Sequence, residues 1–344
     1  MIKQFLTLIF FVLVVFIAKS QSFSDESLVV IRIGNGEEIL TSKSTPVFID
    51  EFSLEGKLIR SIALPTSAQG KNRALTLSGN QMDEGYAGLS PNKDCLILVG
   101  YDTSLGIDSV LKTPSSKVPR TIALISEDGK INTENAITDA FGRVQVRSAT
   151  IKDNQIWVTG GGYGIRTLQV GASKSDPVTT VTGRVLSIFN DQLYSSSIAP
   201  DIRMGQVGNG LPLSETDLNN MPGLPKDGSP WQFYFMDLNE EVKGLDVLYV
   251  ADNIKGLCKY SLIDGVWVSN GSLGSGFFGL TAKKTNEGIL LFATQSTSLS
   301  DTRLVSILDS SGYKGTLKGQ VKVLVKGKSN TSFRGVTFSP TKSF

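Results

Sequence analysis

Residues 86–101, Tyr86-Ala87-Gly88-Leu89-Ser90-Pro91-Asn92-Lys93-Asp94-Cys95-Leu96-Ile97-Leu98-Val99-Gly100-Tyr101, decide the fold. A short run from Tyr86 to Ser90 enters a polar turn, and an apolar run from Cys95 to Tyr101 leaves it. Short apolar runs bounded by turn residues read as strands. Pro91-Asn92-Lys93-Asp94 supplies residues that tolerate left-handed dihedrals, so the two runs form a hairpin. The pair recurs along the chain. Val146 to Ile151 faces Gln155 to Thr159 across Lys152-Asp153-Asn154. Arg184 to Phe189 faces Gln192 to Ser196 across Asn190-Asp191. Phe277 to Lys283 faces Gly288 to Thr294 across Thr285-Asn286-Glu287, and Asp246 to Ala251 is a further second strand.

A second hairpin type alternates with the first. Its turns are Leu54-Glu55-Gly56-Lys57, Glu127-Asp128-Gly129-Lys130, Ile263-Asp264-Gly265-Val266 and Asp309-Ser310-Ser311-Gly312. The glycine takes the positive-φ position of a tight turn. Two alternating hairpins make a four-strand antiparallel unit, and a radial array of such units is a β-propeller. No long stretch carries a helical period, so the expected class is all-β.

The ends fit ring closure. Phe333 to Pro340 reads as a first strand without its second, and Leu28 to Ile33 as a second strand without its first. Joined, they complete one blade and remove an exposed edge. Six blades are expected, or seven if residues 198–229 hide another. That stretch holds Pro200, Pro212, Pro222 and Pro225. It reads as a long loop insert over one face with Trp231 at its exit, since long loops in compact domains are usually functional. Its apolar residues, among them Met204, Val207, Leu218 and Leu224, are too many for free disorder.

The first twenty residues differ from the rest. Lys3 precedes a nearly unbroken apolar run from Phe5 to Ile17, and Ala18 and Ser20 stand at the −3 and −1 positions of a cut before Gln21. This is the layout of a secretory signal peptide, and the run is short of the ~20 residues of a membrane-spanning helix. The expected division is a leader, 1–20, and a single propeller domain, 21–344, secreted and without a membrane span after cleavage. A formal net charge of +2 with scattered Lys and Arg gives no footprint for nucleic acid. Two cysteines, Cys95 and Cys258, lie in strand-like runs. Export permits a disulfide, but strands of different blades rarely come close enough, which favours buried thiols. Asn270-Gly271-Ser272 and Asn330-Thr331-Ser332 are sequons in turn-like stretches, acceptable as glycan sites in an exported eukaryotic glycoprotein.

The chain has no histidine. That removes Ser-His-Asp triads, Cys-His pairs and imidazole metal sites. Carboxylate chemistry remains. Glu84, Asp102, Asp252 and Asn253 could offer oxygens to Ca²⁺, which needs six to eight; the plainer reading is that Glu84 and Asp252 bond turn amides at strand ends. Gly160-Gly161-Gly162-Tyr163-Gly164 follows a strand but precedes another strand, so it reads as a channel turn and not a phosphate loop. Tyr163 and Trp231 are the candidate recognition residues, and Trp157 and Trp267 fall inside strands and belong to the core.

Several segments carry a family resemblance: Glu84-Gly85-Tyr86-Ala87-Gly88-Leu89-Ser90, Val99-Gly100-Tyr101-Asp102, Trp157-Val158-Thr159-Gly160-Gly161-Gly162, Gly208-Asn209-Gly210-Leu211-Pro212, Gly228-Ser229-Pro230-Trp231, Leu248-Tyr249-Val250-Ala251-Asp252-Asn253 and Phe333-Arg334-Gly335-Val336. Spanning nearly all of the chain after the leader, they resemble an uncharacterised family of secreted propeller-like proteins, found mostly in bacteria and patchily in eukaryotes. The resemblance implies fold and export, and no catalytic residue. More loosely, Tyr249-Val250-Ala251-Asp252-Asn253 is similar to strands of NHL-type and lactonase-type propellers. Metal-dependent lactonases use a Glu/Asn/Asp centre that Glu84, Asp252 and Asn253 would supply, but this chain lacks the Pro and aromatic residue that follow Glu-Gly there.

The leading expectation is a secreted, monomeric, non-catalytic propeller, without cofactor, that binds an extracellular protein or glycan through its loop face. The alternatives are a Ca²⁺-dependent lactonase or esterase, and a structural component of a wall, coat or matrix. The protein recovered outside its producing cell is expected to begin near Gln21; intact-mass spectrometry showing residues 1–20 retained would overturn the leader.

Overall fold

The hairpin turns close on residues held in the left-handed region. Lys93, Asp153, Asn190 and Asp191 have φ between 46° and 61°, and Gly56, Gly129, Gly265 and Gly312 lie between 74° and 90°. The computed structural model describes residues 22–341. The expected leader and the cut before Gln21 lie outside the described residues.

Six four-strand antiparallel sheets form the blades of a β-propeller. From the inner strand outward, blade 1 is Gly88–Leu89, Cys95–Tyr101, Arg120–Ser126 and Ile131–Ile137. Blade 2 is Val146–Lys152, Gln155–Gly160, Ile165–Gln169 and Asp176–Thr179. Blade 3 is Gly183–Phe189, Gln192–Ser197, Met204–Val207 and Leu218–Asn220. Blade 4 is Pro230–Met236, Val247–Asp252, Gly256–Ile263 and Val266–Leu273. Blade 5 is Phe277–Thr285, Gly288–Ser298, Asp301–Asp309 and Lys322–Lys326. Blade 6 is Ser332–Phe338, Leu28–Ile33, Val47–Phe52 and Leu58–Ala63. A two-strand pair, Ser44–Thr45 with Leu77–Ser78, lies in the connections. The one helical element among the described residues is a single turn at Val110–Lys112, and none of their helices is long and apolar enough to cross a membrane.

Blade 6 closes the ring as the ends of the sequence imply. Leu28 pairs with Phe338 and Ile33 with Ser332, antiparallel. Residues 198–229 differ from expectation. They hold the two outer strands of blade 3, and neither a loop laid over a face nor a seventh blade. The reason is burial: Met204, Val207, Leu218, Met221 and Leu224 are all under 9% exposed. Proline and glycine disguised these strands because both are only three or four residues long.

Inner strands carry a recurring irregularity. The pairing register slips between Val146 and Ser148, Gly183 and Leu186, Pro230 and Phe233, and Phe277 and Leu280. A bulge leaves backbone N–H groups without a ladder partner, and side chains take them up. Val185 N–H donates to Ser196 Oγ at 3.1 Å, Gly279 N–H to Thr294 Oγ1 at 2.7 Å and Leu186 N–H to Ser148 Oγ at 2.9 Å. Blades 4 and 5 are also tied by a fully buried ion pair, Lys259 Nζ to Asp309 Oδ2 at 2.8 Å, with Tyr249 Oη donating to the same carboxylate.

Deleting residues 22–33 is expected to lower the melting temperature of the whole molecule in one cooperative step, because the deletion opens the ring and exposes two strand edges. An unchanged melting temperature by differential scanning calorimetry would count against closure.

Candidate functional site

Strand direction places the connections. Inner strands begin on the face that carries the second-to-third-strand connections, among them 34–46, 102–119 and 161–164, and the links between blades, among them 64–87 and 221–229. This is the loop face. The opposite face carries the first-to-second-strand turns, such as 91–94, 153–154 and 190–191. Glu84, Tyr163, Asp252, Asn253 and Trp231 all lie toward the loop face, so the fold gathers at one end most of the residues singled out from the sequence.

At that end the channel is filled. Tyr86, just ahead of the inner strand of blade 1, and Arg147, Arg184, Trp231, Phe278 and Arg334, each near the loop-face start of its inner strand, follow one another in blade order. Tyr86 of blade 1 stacks on Trp231 of blade 4 at 5.1 Å between centroids. Phe278 tilts against Trp231 at 5.4 Å, and the Arg184 guanidinium lies 3.9 Å above its ring centroid. Trp231 is 2% exposed. It is an inner-strand residue that plugs the channel and not the exposed exit of a loop. Residues 198–229 supply the outer strands of blade 3, so the chain enters Trp231 from a strand-bearing segment and not from an exposed loop. Trp157 and Trp267 are buried, as their strand positions required.

One layer further along, Gln232 spans the channel. Its Nε2 donates to Ala87 O at 3.3 Å, and its Oε1 accepts Leu280 N–H at 3.2 Å and Val336 N–H at 2.9 Å. Beyond it the channel opens on the opposite face as a cavity of about 260 Å³ between Ala87–Pro91, Ser187–Asn190 and Val336–Phe338. No Asp or Glu lines it.

Asp252 and Glu84, at the loop end, serve the backbone. Asp252 accepts from Ser229 N–H at 2.6 Å and from Ile254 and Lys255 N–H, both at 2.8 Å. Asn253 donates its backbone N–H to Ser229 O at 3.2 Å. Glu84 accepts Ser78 N–H at 2.9 Å and the Tyr101 hydroxyl. Asp102 pairs with Arg73 at 2.8 Å. Among the described residues no group of three or more Asp, Glu or Cys side chains is placed to hold a metal ion. Tyr163 is 36% exposed and leans on Phe141 at 5.6 Å. Asn330 lies in the 327–331 connection with φ 57°, and Asn270 in the outer strand of blade 4, its Nδ2 donating to Lys314 O at 3.0 Å. Cys95 and Cys258 are free thiols in blades 1 and 4, and burial pushes both up to about 11.

Apart from Tyr163, sequence reading missed the exposed apolar side chains of the loop face. The second-to-third-strand connections of five blades each expose a large apolar side chain: Ile39 in blade 6, Leu105 and Ile107 in blade 1, Tyr163 in blade 2, Ile198 in blade 3 and Ile254 in blade 4. Ile39 at 78% and Ile254 at 68% are the most exposed large apolar residues of the described chain. The signal was present: each follows a second strand within a few positions, in a turn whose other residues are mostly polar.

Desolvation raises the Glu84 carboxyl from 4.5 to about 7, against the opposing Tyr101 hydroxyl, Ser78 N–H and Arg334 charge. The folded chain therefore holds this proton more tightly than the unfolded chain. The contribution to stability is complete below the unfolded value and is lost as pH rises through 7, at about 1.4 kcal/mol per unit. Glu84→Gln keeps an acceptor and removes the titration. Relative to the native protein, the variant is expected to gain about 3 kcal/mol between pH 4.5 and pH 8. Urea denaturation at both pH values checks this; a gain independent of pH would refute it.

No family model matches the sequence, and neither does any curated protein. Solved structures do match. A chain in the crystal structure of a nidogen/laminin complex superposes with a TM-score of 0.50 at 9% identity, over 92% of this chain and 99% of that one. TolB from Acinetobacter baumannii superposes with a TM-score of 0.50 at 8% identity, over 90% of this chain and 67% of its own. At such identities the likeness concerns the fold alone, and that fold is the six-bladed β-propeller.

Proposed function

We propose that this protein is a secreted, non-catalytic β-propeller whose loop face binds an extracellular protein. The observation that carries the reading is the set of exposed apolar side chains Ile39, Leu105, Ile107, Tyr163, Ile198 and Ile254. Apolar side chains held out by turns on one face cost free energy in water, and burying them against a partner would recover it. The plug of Tyr86 and Trp231 closes the channel behind this face, so a partner meets a broad rim and not a hole. A cavity of about 340 Å³ between 34–46 and Leu105-Gly106 gives one anchoring side chain a place to enter.

Two further points support a binding role. Asp252 and Glu84 at this end are engaged by backbone amides, and the chain has no histidine. The nidogen/laminin structure contains a propeller of this size within a protein complex. Export rests on the leader read from residues 1–20. A glycan ligand is the second reading, carried by Tyr163, whose half-exposed ring offers a stacking surface for a sugar.

Replacing Ile39 and Ile254 together by Ser is expected to leave the melting temperature within about a degree, since exposed substitutions change stability little. The same change should lower, at least tenfold, the recovery of cross-linked partners from the medium surrounding the producing cells. Equal recovery by both proteins would move the site elsewhere, and a positive glycan array sensitive to Tyr163→Ala would favour the sugar.

A further inference from the structure

The other end of the channel, on the face turned away from the long connections, is open. Gln232 forms its floor, and the cavity of about 260 Å³ beyond that floor adjoins a second of about 410 Å³: Lys93, Tyr234 and Phe338 line both. Three aromatic rings stand at this mouth. Phe189 ends the inner strand of blade 3, Phe338 ends that of blade 6, and Tyr234 lies two residues before the end of that of blade 4. All three are only partly buried. Phe189 meets Tyr234 edge to face, at 5.3 Å between centroids.

The free charge here is of one sign. No Asp or Glu lines the first cavity, and Glu26 in the second is paired with Lys283 at 2.6 Å. Lys93 and Lys284 remain, and neither is in an ion pair among the described residues. The backbone holds Lys93 in place: its φ is 61°, its N–H donates to Ser90 O at 2.8 Å, and its C=O accepts Thr341 N–H at 2.7 Å. The neutral groups are donors without acceptors. Thr281 and Thr337, at 2% and 8% exposure, both line the cavity. Neither hydroxyl makes a hydrogen bond among the described residues, and neither is sealed from solvent, so each opens on the cavity. Buried polar groups are ordinarily satisfied, and a nearly buried hydroxyl with no protein partner is completed by whatever enters beside it.

We propose that the channel mouth opposite the loop face binds a small organic anion with an aromatic body, an arylcarboxylate in its simplest form. The body packs among Phe189, Tyr234 and Phe338, where aromatic rings meet edge to face or offset. The carboxylate meets the ammonium groups of Lys93 and Lys284, and charge-assisted hydrogen bonds of this kind are the strong ones. An inorganic anion would leave the aromatic walls wet, and a cation would meet two uncompensated lysines. Gln232 and the Tyr86–Trp231 stack close the channel behind the ligand, so it enters and leaves by one mouth. The site is at the opposite end of the molecule from the exposed apolar side chains of the loop face, so each reading stands or falls without the other.

Isothermal titration of the whole protein with sodium 2-naphthoate at constant ionic strength tests this, with 2-naphthamide as the uncharged counterpart. One saturable site is expected for the acid, at least about fivefold tighter than for the amide. Lys93→Glu reverses the charge at the mouth; it should weaken the acid about tenfold and leave the amide unchanged. Lys71→Glu makes the same change of net charge on the exposed loop face and should leave the acid unchanged. Thr337→Leu puts an apolar side chain into the cavity and should weaken both compounds. The proposal is overturned by any of four results: no saturable site for 2-naphthoate, equal affinity for acid and amide, equal effects of Lys93→Glu and Lys71→Glu, or undiminished binding to a folded Thr337→Leu. Should Thr337→Leu fail to fold by circular dichroism, the Lys93→Glu arm, at an exposed residue, decides.

Discussion

The carboxamide of Gln232 stands where the inner strands converge, and it is shared among four blades. From blade 4 it reaches Ala87 O at blade 1, Leu280 N–H in blade 5 and Val336 N–H in blade 6. A propeller has no single core; each blade packs on its neighbours, and the centre of the ring is a line of backbone groups facing a narrow channel. The bulges make that line polar, because they turn amides out of the ladder. Without Gln232, two buried amides would lack acceptors, at about 1–3 kcal/mol each. Stacked on this layer, Tyr86 and Trp231 fill the axis with apolar surface. Polar bracing below and aromatic packing above together set the diameter of the ring.

From that centre outward, the same device is repeated with smaller side chains. Ser196 and Thr294 occupy the second strands of blades 3 and 5 and take up the bulged amides of their own first strands, while Ser148 of blade 2 reaches across to Leu186 of blade 3. These hydroxyls explain the buried serine and threonine in the inner two strands of blades 2, 3 and 5, in a protein whose sequence looks merely turn-rich. The loop face then inherits a rigid base. Its connections differ in length, from 161–164 to 102–119, yet they start from strand ends whose spacing the ring determines.

Much of the fold could be read from the sequence because hairpins are local. Cys95–Tyr101 appears with its expected limits, and the closure of Leu28–Ile33 on Ser332–Phe338 follows from two unmatched half-blades. Blade 3 was illegible in its outer half. Met204–Val207 and Leu218–Asn220 are too short for a period, and Gly208, Gly210 and Pro212 between them mimic a loop. The site was partly legible. Carboxylates at strand ends proved to be amide acceptors, as their positions suggest. The cavity at the opposite mouth was invisible, because Lys93, Tyr234, Thr281 and Phe338 lie far apart in sequence and each looks like an ordinary turn or strand residue. Only the ring makes them neighbours.

Pairing of the first described strand with the last has a consequence for the order of assembly. As the chain is made, Leu28–Ile33 can join Val47–Phe52 at once, but its other edge must wait for Ser332–Phe338, the last of the described strands. During that interval a three-stranded sheet presents an open rim of N–H and C=O groups to every other nascent copy nearby. Blades 1 to 5 are sequential and can form as they appear; blade 6 spans nearly the whole chain and pays the largest loop-closure entropy. The ring is thus expected to mature by a late, all-at-once zipping of its seam, and the vulnerable period of this protein is the time its own length imposes.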